Sequence, residues 1–380
     1  MKIETKAIHA GIQPDPATGA IMTPIFQTST YVQQSPGRHK GFEYSRTQNP
    51  TRNVLEANLA ALENARHAIA FGSGLAAMDA ILKLLKPGDK ILSTNDLYGG
   101  SYRQMRAIYQ KFGIRSEFTS MADAHSIPNH ISDDVKLIWI ETPTNPLLNI
   151  IDIEAVCAAA NGKDIITVVD NTFASPFLQN PLDLGADIVL HSATKYLNGH
   201  SDVVLGALMT NDDELAERLA FIQNASGAVP GPMDCFLTLR GIKTLHVRVQ
   251  RACENAEKIA HHLRQKDKIN RVFWPGFDDH PNHQIAKRQM RLFGAMISFD
   301  LTEDTIEAAK AIAERTHLFS LAESLGGVES LIGHPATMTH ASIPREERLK
   351  AGLHDSLLRL SVGIEHVDDL IEDLDRALDA

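Results

Sequence analysis

The sequence predicts an α/β protein with a mainly parallel central sheet and a smaller C-terminal α+β domain. Between residues 51 and 245, short runs rich in Val and Ile alternate with helical stretches. Such runs suit strands that are buried on both faces, and their alternation with helices indicates βαβ units. After residue 247 the pattern changes to a long amphipathic helix followed by a few separate strands.

The composition excludes several other classes of protein. The 380 residues are 43% apolar and 22% charged, which is typical of a globular chain. The net charge of −10 argues against a nucleic-acid partner, and no run approaches the ~18 apolar residues of a membrane helix. The N-terminus does not resemble a secretory signal, and three scattered cysteines form neither a disulfide framework nor a metal site. We expect a cytoplasmic protein with no metal and no membrane.

The first 60 residues are predicted to be an arm that leads into a helix. Pro and Gly residues interrupt the arm, whereas residues 51–62 have helical spacing of their apolar positions. The arm is rich in aromatic and basic residues, including Tyr44 and Arg46. This content indicates that it docks on the body of the protein or on another subunit.

Two domains are predicted after the arm. In residues 61–246 we expect strands at 67–71, 90–93, 136–140, 165–169, 187–190 and 205–209. In residues 247–380 we expect a helix at 247–263, strands near 272 and at 295–299, and a closing helix at 367–378.

A glycine-rich loop follows the first predicted strand and opens a helix. Residues 72–77 match G-x-G-x-x-A, and Asp96 follows about 20 residues later, as in a dinucleotide-binding site. More than 70 residues precede the loop, which does not fit the usual nicotinamide layout. The glycines and the helix N-terminus suit any phosphate group. A glycine-rich turn that binds no ligand is the other interpretation of this segment.

Two further polar groups follow buried strands. Asp170 ends one strand, where it either caps a turn or faces a ligand. Lys195 lies just past another strand, beside the hydroxyls of Ser192 and Thr194. Burial there lowers the pKa of a lysine, and the neutral amine is the form that attacks a carbonyl.

Together these groups fit pyridoxal phosphate (PLP). This cofactor needs a lysine for its aldehyde, an acid for its pyridine nitrogen, a phosphate cradle and a flat partner for its ring. Lys195, Asp170 and the loop around Gly74 supply the first three. Tyr98 supplies the aromatic partner, although a tyrosine in a turn is also an ordinary structural residue.

A series of motifs resembles the Cys/Met-metabolism PLP enzymes, the transsulfuration group. The motifs occur in order over nearly the whole chain, at residues 43–46, 49–52, 141–146, 169–172, 192–202, 323–327, 338–341 and 359–361. The resemblance implies the PLP-dependent transferase fold type I, which is aspartate-aminotransferase-like. It also implies a homotetramer, a dimer of dimers, with active sites shared across the dimer interface.

The resemblance further implies the roles of individual residues. Lys195 binds the cofactor covalently, Asp170 pairs with its pyridinium nitrogen and Tyr98 stacks on its ring and takes part in catalysis. The other implied cofactor contacts are Gly74, Leu75, Thr172, Ser192, Thr194 and, from the neighbouring subunit, Tyr44 and Arg46.

The same resemblance implies a substrate site for an amino acid. Arg359, with Ser324, matches the clamp for the α-carboxylate, which a planar guanidinium binds bidentately. Glu323, Glu43 and Arg103 match polar substrate positions of γ-lyases, next to Tyr98. We therefore expect a carbon–sulfur lyase, with cystathionine γ-lyase favoured over cystathionine γ-synthase and cystathionine β-lyase. An NAD-dependent oxidoreductase is the alternative from another class.

Overall fold

The structure is a computed structural model that describes residues 1–341 and 343–379. Its strands are β1 (His67–Phe71), β2 (Lys90–Thr94), β3 (Arg115–Thr119), β4 (Val135–Glu141), β5 (Ile166–Asp170), β6 (Ile188–Ser192), β7 (Gly206–Thr210), β8 (Ile269–Phe273), β9 (Met296–Leu301), β10 (Ser320–Leu321), β11 (Leu331–Gly333) and β12 (Leu358–Ser361).

The α-helices are α1 (Ile3–His9), α2 (Pro50–Leu62), α3 (Gly74–Leu82), α4 (Gly99–Arg103), α5 (Ile153–Ala160), α6 (Ser175–Leu178), α7 (Asp213–Ser226), α8 (Pro232–Ile242), α9 (Leu245–Leu263), α10 (His283–Gln289), α11 (Ile306–Ala313), α12 (Arg345–Lys350) and α13 (Val367–Asp379). A π-helical turn (Gln104–Ile108) and 3₁₀ helices (Tyr109–Phe112, Ala124–His130 and Pro181–Leu184) complete the helical segments.

The first seven strands form one sheet in the order β1-β7-β6-β5-β4-β2-β3. The strands from β2 to β6 run parallel, and β7 runs antiparallel to its neighbours β1 and β6. The prediction of a mainly parallel sheet is therefore confirmed. The six strands predicted for it are present, with ends that differ by at most two residues.

The edge strand β3 was not predicted. Its sequence begins with Arg115, Ser116 and Glu117, and none of its residues is fully buried. The residues of β3 are partly exposed at this edge of the sheet, so the strand lacks the apolar run that marks an inner strand. Sequence patterns based on full burial miss strands of this kind.

The remaining strands form a second sheet in the order β10-β11-β12-β9-β8. The helices and two strands predicted for this part of the chain are present, whereas β10, β11 and β12 were not predicted. Strand β12 lies in the middle of the sheet and is buried throughout, but it is four residues long and includes Arg359. The predicted domain boundary at residue 246 falls in the first turn of α9 and stays a prediction.

One apolar core joins the two sheets. It includes Leu55 of α2, Leu239 of α8, Ile259 of α9, Phe299 of β9 and Leu374 of α13. A shared core of this kind holds the second sheet firmly against the large one. In the part of the chain described, no helix combines the length and the apolar character needed to cross a membrane.

The N-terminal arm connects α1 to α2 without regular secondary structure beyond isolated bridges, such as Thr30 with Tyr44. Asn49 ends it by capping α2: its side chain accepts hydrogen bonds from the backbone of Thr51 (3.0 Å) and Arg52 (3.3 Å). Asn at this position followed by a proline is a strong signal for the start of a helix.

Candidate active site

A cavity of about 420 Å³ lies where the carboxyl ends of the large sheet meet the second sheet. Parallel strands bring their carboxyl ends to one edge, and ligands of open α/β sheets bind there. The predicted site residues that line it are Gly74, Leu75, Tyr98, Asp170, Thr172, Ser192, Thr194, Lys195, Glu323, Ser324 and Arg359.

The glycine-rich loop forms one wall of this cavity. The hydroxyl of Ser73 caps α3 by accepting a hydrogen bond from the backbone of Ala76 at 3.0 Å. A side chain on Gly74 would place its Cβ 3.0 Å from the Cβ of Ser192, so glycine lets the loop approach the end of β6. The N-terminal amide groups of α3 therefore face the cavity as a cradle for an anion.

Lys195 is the cationic group at the centre of the site. Its Nζ donates a hydrogen bond to Ser324 Oγ at 2.7 Å. Burial, together with the charge of Arg359, lowers the pKa of Lys195 to about 8. A much larger fraction of the amine is therefore neutral at pH 7 than for an exposed lysine, as a nucleophile or base requires.

The backbone of Ser324, whose hydroxyl accepts this hydrogen bond, has a strained conformation. Its φ of +101° lies in a region that side chains other than glycine avoid. Such strain persists where the surroundings determine the backbone, and it is concentrated at functional sites. In this chain it places the Ser324 hydroxyl on Lys195 and the Ser324 carbonyl 3.1 Å from Nη2 of Arg359.

Two buried carboxyl groups meet at the ends of neighbouring strands. Asp170 of β5 lies opposite Glu141 of β4 in the register of the sheet, and both line the cavity. Burial raises the pKa of Asp170, although its Oδ1 accepts a hydrogen bond from the backbone of Thr172 at 3.0 Å. Burial and the charge of Asp170 raise the pKa of Glu141 to about 8. A cationic ligand group is therefore favoured between them.

Glu141 belongs to the sequence motif at residues 141–146, which does not by itself indicate a role for it. Its Oε2 accepts a hydrogen bond from the backbone N–H of Tyr98 at 2.9 Å, and its Oε1 accepts one from the Trp139 ring at 3.3 Å. The signal that identifies it is its position at the same end of the sheet as Asp170, one strand away.

Arg359 projects from the middle of β12 and is 4% exposed. Its Nη1 donates to Asn145 Oδ1 at 2.8 Å, which is a contact that the sequence analysis did not assign. Burial lowers the pKa of Arg359 to about 10, so the guanidinium stays charged at neutral pH. Asn145 and Ser324 hold it in one orientation, and it remains able to bind a carboxylate in the cavity.

Tyr98 covers the mouth of the cavity, with 39% of its surface exposed. A Cβ on Gly100 would lie 2.3 Å from the Tyr98 ring, so a residue without a side chain is required there. Burial raises the pKa of Tyr98, and the charge of nearby Arg103 opposes this shift. Arg103 itself is exposed and lies beside the cavity rather than on its wall.

Three predicted site residues of the arm do not line the cavity of their own chain. Arg46 donates from Nη1 to the carbonyl oxygen (2.6 Å) and Oδ1 (2.8 Å) of Asn224. Tyr44 is 43% exposed, and Glu43 lies 4.0 Å from His39. Their predicted role in a neighbouring subunit stays a prediction.

The residues of this cavity fit PLP. Asp170 is a buried carboxyl group in need of a cationic partner, which a pyridinium nitrogen supplies. The cradle around Gly74 suits a phosphate, and Lys195 offers an amine for an aldehyde. The dinucleotide interpretation fails because the carboxylate of Asp96 is buried and accepts hydrogen bonds from Thr144 and Asn149. It is not free to bind a ribose.

Fold and site together define a PLP-dependent enzyme of fold type I. A model of the family described as Cys/Met metabolism PLP-dependent enzyme matches residues 4–379. The chain belongs to this family, and the predicted family, fold type and cofactor are confirmed.

Its relatives differ in their named reactions. The chain is 52% identical over 378 residues to a cystathionine β-lyase of Coxiella burnetii, covering 99% of this chain and 97% of that protein. It is 50% identical over 376 residues to a cystathionine γ-synthase of Mycobacterium bovis, covering 98% and 96%. A crystal structure of cystathionine γ-lyase from Lactobacillus plantarum complexed with L-serine matches with a TM-score of 0.97 and 45% identity, covering 100% of this chain and 99% of that one.

Proposed function

We propose that the protein is a cystathionine γ-lyase, which converts cystathionine and water to cysteine, 2-oxobutanoate and ammonia. The observation that carries this proposal is the set of charged groups around the cavity, a buried guanidinium and a carboxylate. Arg359 is buried in the wall of the cavity, Glu323 lines the same cavity, and Arg103 lies near Tyr98. Cystathionine has an amino and a carboxylate group at each end, so both ends of the substrate find a partner of opposite charge.

In the proposed reaction, PLP supplies an electron sink that stabilises negative charge at Cα. Arg359 orients the α-carboxylate of the substrate, and Ser324 and Asn145 hold the guanidinium in place. Lys195, whose pKa is lowered to about 8, takes the proton from Cα. Asp170 holds the proton on the pyridine nitrogen of the cofactor.

The distinction between γ- and β-elimination depends on a second proton. A γ-lyase must also remove a proton from Cβ before the thiolate leaves Cγ, whereas a β-lyase releases the thiolate from Cβ after the first deprotonation. Lys195 is the amine that lines the cavity and can make both transfers, and Glu323 lines the same cavity. We assign cleavage at Cγ because Glu323, Glu43 and Arg103 match the polar substrate positions of γ-lyases.

We also propose that the arm completes the site of a neighbouring copy in a homotetramer. Tyr44 and Arg46 then contribute to the phosphate site, and Glu43 contributes to the substrate site. Their exposure in their own chain supports this role. The composition supports a cytoplasmic location for the assembly.

The product formed from L,L-cystathionine tests the proposal. We expect 2-oxobutanoate and cysteine, and pyruvate with homocysteine as the sole products would contradict it in favour of a β-lyase. Net synthesis of cystathionine from O-succinyl- or O-acetylhomoserine and cysteine, at a higher kcat/KM than its breakdown, would assign a γ-synthase.

A substitution of Glu323 sharpens this test. We expect Glu323→Gln to raise the KM for cystathionine about tenfold and to leave the KM for a substrate without a distal amino group, such as O-acetylhomoserine, nearly unchanged. The exposed Glu217, on α7, provides the matched control Glu217→Gln. Equal effects on both substrates would contradict the role of Glu323 at the distal end.

A further inference from the structure

A second cavity of about 440 Å³ lies beside the catalytic cavity and shares none of its lining residues. Its wall is formed by β3 and by the segments around α4 and α12, and it includes Tyr102, Phe118 and His340. A volume of this size is typical of sites for small molecules, which span ~300–1,000 Å³. The function proposed above makes no use of it.

The acidic groups on this wall already have donors from the protein. Glu347 accepts a hydrogen bond from the Tyr102 hydroxyl at 2.9 Å. Glu117 accepts hydrogen bonds from Lys90 at 3.0 Å and from His130 at 2.7 Å. These carboxylates are therefore poor candidates for holding a cationic ligand.

The basic groups on the same wall are less well paired. Arg348 is 7% exposed, and its Nε and Nη1 have no hydrogen-bond partner within residues 1–341 and 343–379. Its nearest carboxylate contact is 3.7 Å, from Nη2 to Asp355 Oδ1. Arg106 and Lys350 add two exposed positive charges to the lining. The Nε and Nη1 of Arg348 are covered by protein, so the exposed charges of Arg106 and Lys350 are the ones that a carboxylate in the cavity meets first.

An aromatic surface adjoins these charges. The rings of Tyr102 and Phe118 lie 5.1 Å apart, and the guanidinium of Arg106 lies 5.3 Å from the centre of the Phe118 ring. A flat apolar group can pack against such a surface while its carboxylate faces the basic groups. The size of the cavity, its exposed basic groups and its aromatic surface therefore indicate one class of ligand, a small carboxylate with a flat body.

His340 connects this cavity to the catalytic one. Its Nε2 donates to the carbonyl oxygens of Leu97 at 3.2 Å and of Asn145 at 3.0 Å. Leu97 immediately precedes Tyr98, and the side chain of Asn145 holds Arg359. A ligand that packs against His340 therefore lies one hydrogen bond away from the segments that carry Tyr98 and Asn145.

We propose that the second cavity is a regulatory site for a small organic carboxylate with a flat apolar body. The ligand binds to Arg348, Arg106 and Lys350 and acts on the catalytic cavity through His340. The binding part of this inference is independent of the proposed function, and the regulatory part rests on it.

Binding is tested with 4-fluorobenzoate, titrated into the PLP-loaded enzyme and followed by ¹⁹F NMR. The Arg359→Leu variant removes the carboxylate clamp of the catalytic cavity, so the binding that remains reports the second cavity. In that background we expect the added pair Arg106→Gln and Lys350→Gln to weaken binding about tenfold or more. Lys111→Gln, at an exposed lysine that does not line the cavity, is the matched control and leaves binding unchanged.

Two further arms test the chemistry and the coupling. Neutral 4-fluorobenzamide is expected to bind at least about tenfold more weakly than the acid. Saturating 4-fluorobenzoate is expected to change kcat/KM for cystathionine in the wild type noncompetitively, and to have no such effect in the Arg106→Gln, Lys350→Gln protein.

Three results would overturn the inference. Complete loss of binding in Arg359→Leu would place the probe in the catalytic cavity. Equal binding of acid and amide, or equal binding by the double variant and its control, would show that the basic groups do not bind the probe. Binding at the second cavity with unchanged kinetics would overturn the regulatory role. The Arg348→Gln variant, checked for folding by its melting temperature, provides an independent test of the buried donor.

Discussion

The two sheets contribute differently to the active site. The large sheet supplies Asp170 and Glu141 from the ends of β5 and β4, and Lys195 from the segment that follows β6. Burial shifts the pKa of each group so that its neutral form is favoured. The second sheet supplies Arg359 from the middle of β12, and this group keeps its charge. The groups of the large sheet suit proton transfer and cofactor binding, whereas Arg359, which stays charged, suits the binding of a carboxylate.

The difference follows from what lies around each group. The carboxyl end of a parallel sheet brings several strand ends together, so titratable groups there share one buried space and perturb one another. Arg359 has two fixed acceptors of its own, Asn145 and the Ser324 carbonyl. An arginine also resists deprotonation far better than a lysine does. Substitutions can separate these two halves.

The largest effect is expected at Lys195 in the large-sheet half. Arginine stays protonated at this position and cannot act as a base, so Lys195→Arg is expected to lower kcat at least about 1,000-fold. The measurement is steady-state turnover of cystathionine together with the absorbance of the bound cofactor. The exposed Lys258 provides the control Lys258→Arg. Turnover within tenfold of wild type in Lys195→Arg would show that another group takes the proton.

A smaller effect, confined to substrate binding, is expected at Arg359. Lysine keeps the charge but loses the planar pair of donors, so Arg359→Lys is expected to lower kcat/KM about 100-fold, mostly through KM. Cofactor absorbance and affinity should remain as in wild type, because the large sheet is unchanged. A loss of cofactor with an unchanged KM would mean that the two halves are not separable in this way.

The smallest effect is expected at Glu141 and concerns stability. Its folded pKa of about 8 exceeds the ordinary value of 4.5, so the folded state holds the proton more tightly. Its contribution to stability is full below pH 4.5 and is lost as the pH rises through about 8. The isosteric Glu141→Gln cannot ionise. Between pH 5 and pH 9, we expect the free energy of unfolding of the apoprotein to fall by on the order of 2 kcal/mol less in this variant than in wild type.

Denaturant unfolding of the apoprotein at the two pH values measures this difference. Glu217→Gln, on the exposed surface of α7, is the control and should retain the wild-type pH dependence. Glu56 and Asp96 are also buried acids with raised pKa values, so part of the pH dependence of stability remains in both proteins. An identical pH dependence in Glu141→Gln and wild type would show that Glu141 ionises normally in the fold.

Much of the large sheet was predictable because each of its inner strands contains a short buried run of apolar residues. The run before Asp170 and the run before Ser192 locate β5 and β6 within two residues, and they place the polar groups that follow at the edge where ligands bind. Edge strand β3 was not predicted because its partly exposed residues do not form an apolar run. Central strand β12 escaped because it is short and contains a buried arginine.

The sequence by itself determined the strands of the large sheet except β3, the glycine-rich loop and the candidate lysine and acid, because these features depend on residues that are close together in the chain. Tertiary structure decided that Glu141 faces Asp170 and that Asn145 and Ser324 orient Arg359. It also decided that a second cavity lies behind His340. Contacts of this kind join residues far apart in the chain, and they exist once packing has brought separate elements together.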